Sequence, residues 1–367
     1  MTLPLKERLH FLDALRAFAI LLMLEGHFID SLLAVEFRDP NNVFFSVWLY
    51  MRGITAPVFF TITGTVFAYL LIRWQGKILE NPRILKGLRR GGYLILVGYL
   101  LRFNIFTLWK GLTSFTFPKY FLVVDVLHCI GLSIIGIIGL YVLTYGRSRF
   151  LFQVLAVGLG VTIFMFERNY FDLTFEGWPL FLRNYLVKEN SVFTIIPWIG
   201  YAFLGAYLGT VLHWLGTKKG SYKLQVLAGI LGLLGWWLME RSSAFLMEMH
   251  WLTGVEEFRA VAYYNYLFQR MGNVLVIFAI FMLLEPFLKK WPIFLEMGRS
   301  TLSIYNLHFV VLYGTGFGWG LSRVFYRQLT PVTAIAGAIL FIIVICTLVY
   351  YWNRRKEIRE ARLESRE

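Results

Sequence analysis

Apolar residues run in long stretches along the chain, and polar residues gather between them. A helix that crosses a bilayer needs about 20 mostly apolar residues. Ten stretches reach that length, at roughly 11–34, 51–73, 91–108, 120–144, 150–167, 193–215, 222–240, 265–285, 299–318 and 332–353. The pattern predicts an all-α, polytopic integral membrane protein of about ten transmembrane helices, forming a single transmembrane domain over 1–367. The third and ninth stretches are the most polar. No internal repeat and no low-complexity segment interrupts the series.

The connections give the series a direction. With the N-terminus in the cytoplasm, 21 of the 36 Lys and Arg fall in cytoplasmic segments and 11 in outer ones; Arg16, Arg102, Arg270 and Arg299 lie in or at the ends of spans. The outer segments are also longer, so the density contrast exceeds the count. An even number of spans with both termini cytoplasmic agrees with the positive-inside rule. The first apolar run follows Lys6 and Arg8, holds Asp13, Arg16, Glu25 and His27, and has no small-residue cleavage site behind it. It reads as a retained span rather than a signal peptide. The outer connections are rich in aromatic residues, as in 166–186, which suits an interfacial belt or the wall of a substrate site.

Composition sharpens this picture. The chain is 58% apolar and 16% charged, against about 45–50% and 25% for soluble proteins. Disorder, a disulfide scaffold and an ordinary soluble enzyme are excluded. The net charge of +14 would suggest nucleic acid as partner of a soluble protein. Here topology absorbs most of it, no nucleic acid is expected, and membrane lipids are the expected surroundings. Cys129 and Cys346 lie in apolar runs, with no disulfide or metal spacing.

Charged groups at membrane depth are costly and face a partner or a cavity. The first span carries Asp13, Arg16, Glu25, His27 and Asp30. Arg16 and His27 are eleven residues apart, so they share a helix face about 16 Å apart along the axis. Asp13 stands one turn from Arg16 and can pair with it. Asp30, at i+3 from His27, is placed to fix the imidazole's tautomer and support it as a base; Glu25 and Asp13 are further candidate carboxylates. The bland alternatives are a satisfied core histidine and a snorkelling arginine.

Further along, Arg52 heads the second span, which is full of Thr, Gly and Ala suited to close helix packing, with Pro57 placed to kink or start it. The segment 73–90 carries six cations, among them Arg83, Lys86, Arg89 and Arg90. They read as topology signal and lipid contact, or as a dock for a phosphate-rich cytosolic ligand. Asp125 and His128, at i and i+3, form an acid/base pair or a structural ion pair. Packing accounts for most of Gly200, Gly205 and Gly209 in the sixth span. The eighth carries Arg270. The ninth strings Arg299, Ser300, Thr301, Ser303, Tyr305, Asn306 and His308 along one half, and is expected to line something wet or ligand-filled.

Five of these segments, "FLDALRAFAILLMLEGHFID" (11–30), "MRGITAPVFFTITG" (51–64), "DVLHCIGL" (125–132), "PWIGYAFLGAYLG" (197–209) and "MGRSTLSIYNLH" (297–308), together resemble the transmembrane acetyltransferases of the heparan-α-glucosaminide N-acetyltransferase type, including bacterial members. Arg16 and His27, with ten residues between them, also resemble the Arg-x10-His motif of the O-antigen and peptidoglycan acyltransferases. One departure matters. The lysosomal sugar acetyltransferases carry Asn where His27 stands, with the active histidine further along, whereas residues 28–127 hold no His here. His27 must take that role, or the mechanism differs.

The resemblance implies acetyl-CoA as co-substrate, an amino sugar or glycan acceptor on the outer face, and a bacterial inner membrane. No metal is expected, and a homodimer is left open. On this view His27 is the base, oriented by Asp30 or another carboxylate. Arg16, Arg83, Lys86, Arg89, Arg90, Arg299 and Tyr305 hold the donor, and Arg52, Asp125, His128, Arg270, Asn306 and His308 hold the acceptor or the oxyanion. Buried Arg, Asp and His also mark transporters, but no inverted repeat or paired broken helices accompany them. A signalling or scaffold membrane protein with an ordinary polar core is the third class.

Overall fold

The computed structural model describes residues 9–74, 76–113, 119–216 and 222–364. Lys6, Arg8, Lys218, Lys219 and Arg366, which enter the charge count, lie outside the described residues. The described residues are 81% helical, and no strand occurs among them. Ten principal helices meet the ten predicted stretches: α1 (His10–Leu32), α2 (Thr55–Leu71), α3 (Pro82–Leu101), α4 (Val126–Thr144), α5 (Arg149–Met165), α6 (Ile195–Leu215), α7 (Tyr222–Glu240), α8 (Tyr266–Leu288), α9 (Thr301–Tyr313) and α10 (Pro331–Glu364). Among the described residues six helical stretches are long and apolar enough to cross a membrane, and α5 and α9 are shorter apolar helices. The chain is an all-α polytopic membrane protein.

The boundaries differ from the apolar pattern where local chemistry overrides it. The third helix starts at Pro82, nine residues before its apolar run. Asn81 caps it, accepting the Arg83 N–H at 3.0 Å, and proline at the first position is preset for a helix. Half of the basic segment 73–90 is therefore helical. The second stretch is broken at Gly53–Ile54 into a short helix, Val43–Arg52, and α2. Asn42 caps that short helix, and Pro57 sits within the first turn of α2. α9 stops at Gly314, whose φ of +71° suits glycine. A Cβ there would also stand 2.4 Å from the Trp319 backbone.

Contacts divide the chain into two compact units. The first comprises Met1–Leu12, Ala56–Arg102 and Pro118–Pro286. Its core joins Ala68 and Leu71 of α2, Ile137 and Tyr141 of α4, Phe152 and Ala156 of α5, and Ala202, Phe203 and Ala206 of α6. Glycines let α2 and α6 touch backbone to backbone. A methyl added at Gly64, Gly205 or Gly209 would stand 1.9, 2.0 or 2.3 Å from the carbonyl oxygens of Ala202, Thr61 and Thr65. Gly205 and Gly209, four residues apart, form the small-xxx-small face that close membrane packing uses. The Glu285 carboxylate on α8 accepts the N–H groups of His10 and Phe11, at 3.1 and 2.5 Å. A negative charge at a helix N-terminus is favourable.

The second unit comprises Asp13–Thr55, Phe103–Phe117 and Phe287–Glu367. Gly298 lies so close to α1 that an added Cβ would stand 1.8 Å from the Asp13 carbonyl oxygen. Phe28 of α1 packs against Phe341 of α10 at a ring distance of 5.3 Å. The Leu329 N–H donates to the Leu32 carbonyl, and the Ala34 N–H to the Leu329 carbonyl, both at 2.9 Å. This bridge ties the chain leaving α1 to the chain entering α10.

Candidate active site

The second unit gathers the polar residues of α1 around α9. His27, half-buried on α1, lies with Nδ1 2.9 Å from Nε2 of His308; His308 is completely buried. Tyr305, Phe309 and Tyr313 recur every fourth residue on α9, which puts them on one face. Their rings follow one another at 5.1 and 5.0 Å. Phe309 and Tyr313 present edges to the His27 ring at 6.3 and 6.2 Å. Ser31 donates to the Tyr313 hydroxyl at 3.3 Å. Asn306 Oδ1 is buried with no hydrogen-bond partner. The polar run of α9 thus divides. Tyr305 and His308 stand with His27, whereas Ser300 receives a hydrogen bond from Asn353 at 2.8 Å.

The carboxylates near His27 are engaged by other elements. Glu25 accepts the indole N–H of Trp48 at 2.6 Å. Asp30 pairs with Arg52 through Oδ2 and with Arg38 through Oδ1 at 3.7 Å. Arg38 also donates to the carbonyls of Asp30 and Leu33, at 2.6 and 2.9 Å. Burial, with Arg327 nearby, draws the Arg38 guanidinium below its ordinary pKa. Trp48 and Arg52 are four residues apart, so one face of the short helix is strapped to α1. The Arg52 stem passes over Gly26, where an added Cβ would stand in ordinary contact with Arg52 Cγ at 3.5 Å. Asp30 was expected to set the tautomer of His27. The structure places His308 at Nδ1 instead and gives the Asp30 oxygens two arginines.

Other candidates of this unit lie on α1 and the helix Pro292–Arg299. Asp13 is buried in the first turn of α1, and Arg16 follows one turn later. Arg299 forms an ion pair with Glu296 at 2.7 Å.

The remaining candidates belong to the first unit. Arg83, Lys86, Arg89 and Arg90 line the first half of α3, whose buried face is Gly87, Gly91, Leu94 and Gly98; Lys86, Arg89 and Arg90 are exposed. Asp125 is the N-cap of α4. Its Oδ1 accepts the Val126 N–H at 2.7 Å, and its own N–H donates to His128 Nδ1 at 3.0 Å. Its other oxygen meets Arg102 Nη2 at 2.7 Å in a buried ion pair. The His128 ring sits edge-on to Tyr99 at 4.3 Å. Asp125 and His128 meet as a helix cap, through the Asp125 N–H, and the ion pair of Asp125 is made with Arg102. Arg270 is half-buried on α8.

Trp48, Arg38 and Arg102 complete these clusters and stand outside the sequence candidates. Arg102 carried a usable signal, a cation at membrane depth, where a partner is expected. Trp48 and Arg38 carried none beyond lying in an outer connection. Among the described residues no group of three His, Cys, Asp or Glu side chains is arranged to hold a metal ion. His27 and His308 face each other at hydrogen-bond distance. In chemical terms the second unit offers an imidazole pair beside an aromatic wall, with the Arg52 guanidinium paired to Asp30 and a buried primary amide at Asn306.

A family model described as heparan-alpha-glucosaminide N-acetyltransferase, catalytic, matches residues 8–246. The matched segment includes Arg16, Glu25, His27, Asp30, Arg52 and Asp125, and ends before His308. No curated protein matches the chain.

Proposed function

The chain belongs to the heparan-alpha-glucosaminide N-acetyltransferase catalytic family, and on that premise we propose that it moves an acetyl group from cytosolic acetyl-CoA to an amino sugar or glycan on the outer side of a bacterial inner membrane. As a member with membrane-spanning helices it is an integral membrane acetyltransferase. The observation that carries the finer reading is His27. It lies in the matched segment, is half-buried, and is held at 2.9 Å by a second imidazole.

In this mechanism His27 removes the proton from the attacking amine or hydroxyl of the acceptor. The acceptor atom bonds to the thioester carbonyl carbon. The tetrahedral oxyanion is met by the amide N–H groups of Asn306 or by the Arg52 guanidinium. The C–S bond then breaks, and the thiolate of CoA leaves with the proton that His27 holds. Arg16 sits on the His27 helix about 16 Å away by helical rise. That is the length scale of a pantetheine arm, so one helix accommodates both ends of the donor. The exposed cations Lys86, Arg89 and Arg90 on α3 suit the phosphates that must stay at the cytoplasmic surface.

The test is acetyl transfer from acetyl-CoA to a panel of amino sugars by the purified chain, followed by mass spectrometry. His27→Ala is expected to abolish transfer while CoA still raises the melting temperature. Turnover near that of the wild type in this variant removes the mechanism.

A further inference from the structure

The geometry points to a second polar site, in the first unit: a small pocket that takes a hydroxyl group from a sugar residue of the acceptor glycan. That the ligand is a sugar rests on the acetyl-transfer reading, and that it enters with a hydrogen-bond donor rests on the pocket alone.

Two connections build the pocket, 166–194 after α5 and 241–265 after α7, both on the side that the charge count makes the outer face. Phe164 and Leu267 belong to its apolar lining, and Glu167, Arg168, Tyr264 and Asn265 to its polar lining. Glu167 and Arg168 open the aromatic-rich segment 166–186. The free volume is about 30 Å³, where one water needs roughly 10–15 Å³. The pocket therefore admits one small polar group and not a whole sugar ring.

Asn265 and Glu167 are 5% and 8% exposed, and neighbouring side chains hold each in place. The Asn265 amide nitrogen donates to the hydroxyls of Ser242 and Ser243, at 2.6 and 3.0 Å. The Ser242 hydroxyl hydrogen is already given to the Leu238 carbonyl. Its oxygen can only accept, so the amide turns its NH2 group that way. Asn265 Oδ1 is left buried with no hydrogen-bond partner. A buried acceptor without a donor is costly, and a ligand that supplies the donor removes that cost. Glu167 accepts the Tyr266 hydroxyl through Oε1 and is an acceptor at its other oxygen too.

The buried lining thus consists of acceptors, and the group that enters must donate. A carbonyl or a carboxylate is rejected, whereas a hydroxyl or an ammonium has the right hydrogens. Arg168 decides between these two. It is exposed, and its guanidinium lies 5.4 Å over the exposed Tyr264 ring, so the two residues form the rim. Glu167 and Arg168 together carry no net charge. The pocket gives an ammonium no excess of negative charge, and a hydroxyl needs none. Outside the pocket, the Tyr264 ring offers an apolar surface to the C–H groups of a sugar ring, and Arg168 offers donors to its oxygens.

Binding is measured on the full chain in lipid nanodiscs, free of sugar-headed detergent and without acetyl-CoA, by saturation-transfer difference NMR. The probes are methyl β-glucoside, glucosamine and the trimer of N-acetylglucosamine. Wild type is expected to bind methyl β-glucoside and the trimer. Glu167→Gln, which keeps an acceptor for Tyr266, and Tyr264→Ala are each expected to weaken that binding about tenfold. The melting temperature without sugar reports folding. Tyr264 is 69% exposed, so its variant carries the test where Glu167→Gln fails to fold. Wild type that binds none of the probes, or affinities within about twofold in the folded variants, overturns the site and leaves the pocket to ordered water. Glucosamine bound about tenfold more tightly than methyl β-glucoside overturns the choice of a hydroxyl.

Acetyl transfer to the same sugars separates this site from the functional reading. Wild type that binds the trimer, with binding weakened in the variants, and acetylates nothing overturns the functional reading and leaves the site standing. Wild type that acetylates a sugar of the panel, while neither variant changes sugar binding, overturns the site and leaves that reading intact.

Discussion

The buried pair of Arg102 and Asp125 allows a quantitative test of what the fourth helix does with its polar start. The two side chains are 7% and 10% exposed and meet at 2.7 Å. Asp125 also caps α4, and the Arg102 guanidinium lies 5.3 Å over the Tyr120 ring. Arg102→Met removes the cation and strands a carboxylate in a dry site. Breaking a buried pair in this way costs about 3–5 kcal/mol. For a unit of this size about 1 kcal/mol shifts the melting temperature by roughly 2–4 °C, so the expected drop is roughly 6–20 °C. Adding Asp125→Ser removes the stranded charge and keeps a good N-cap, so the double variant is expected to regain most of the loss. Thermal melts of the four proteins of this cycle give the coupling directly. A drop of less than about 1 kcal/mol for Arg102→Met, or additive losses, refutes the ion-pair account. Acetyl transfer by the double variant separates structure from chemistry. Restored stability with turnover within threefold of wild type assigns Asp125 to the fold, and restored stability with lost turnover returns it to the acceptor site.

Two further outcomes follow from the same geometry. Gly205→Ala and Gly298→Ala each push a Cβ to within 2.0 Å of a backbone oxygen on a neighbouring helix; each is expected to cost about 3 kcal/mol or to abolish folding, read by size-exclusion profile and melting temperature. Gly92→Ala on α3 meets nothing within 4 Å and is expected to stabilise by about 0.5–1 kcal/mol; equal behaviour of the three variants contradicts the packing account. Reversing Lys86, Arg89 and Arg90 to Glu is expected to raise the KM for acetyl-CoA several-fold more than that for the acceptor. Equal effects on the two would reduce the cluster to a topology signal.

Periodicity and burial cost carried different parts of what was legible in the sequence. Each apolar run overlaps one of the ten principal helices, and among the described residues six helical stretches are long and apolar enough to cross a bilayer. The runs misplaced ends wherever a cap decided the boundary. α3 begins at the Asn81–Pro82 signal inside a basic segment, nine residues before hydropathy notices it. The same cap chemistry was available at Asp125, where an Asp followed three residues later by His opens an apolar run and forms the reciprocal box.

The cost of burying charge correctly marked His27, Asp30 and Glu25 as groups needing partners, and it could not name the partners. Spacing on one helix put Asp30 beside His27. What it leaves out is competition from other elements: Arg38 and Arg52, eight and 22 residues further on, take the Asp30 oxygens, and Trp48 takes Glu25. The place at His27 Nδ1 goes to a residue 281 positions away, beyond the matched family segment. An arginine can outbid a neutral ring for a carboxylate because its bonds are charge-assisted. With Asp30 held by two guanidinium groups, a neutral donor-acceptor such as His308 can orient the imidazole without competing for them. The short helix that brings Arg52 to Asp30 is thus part of the reason His27 is paired with a histidine.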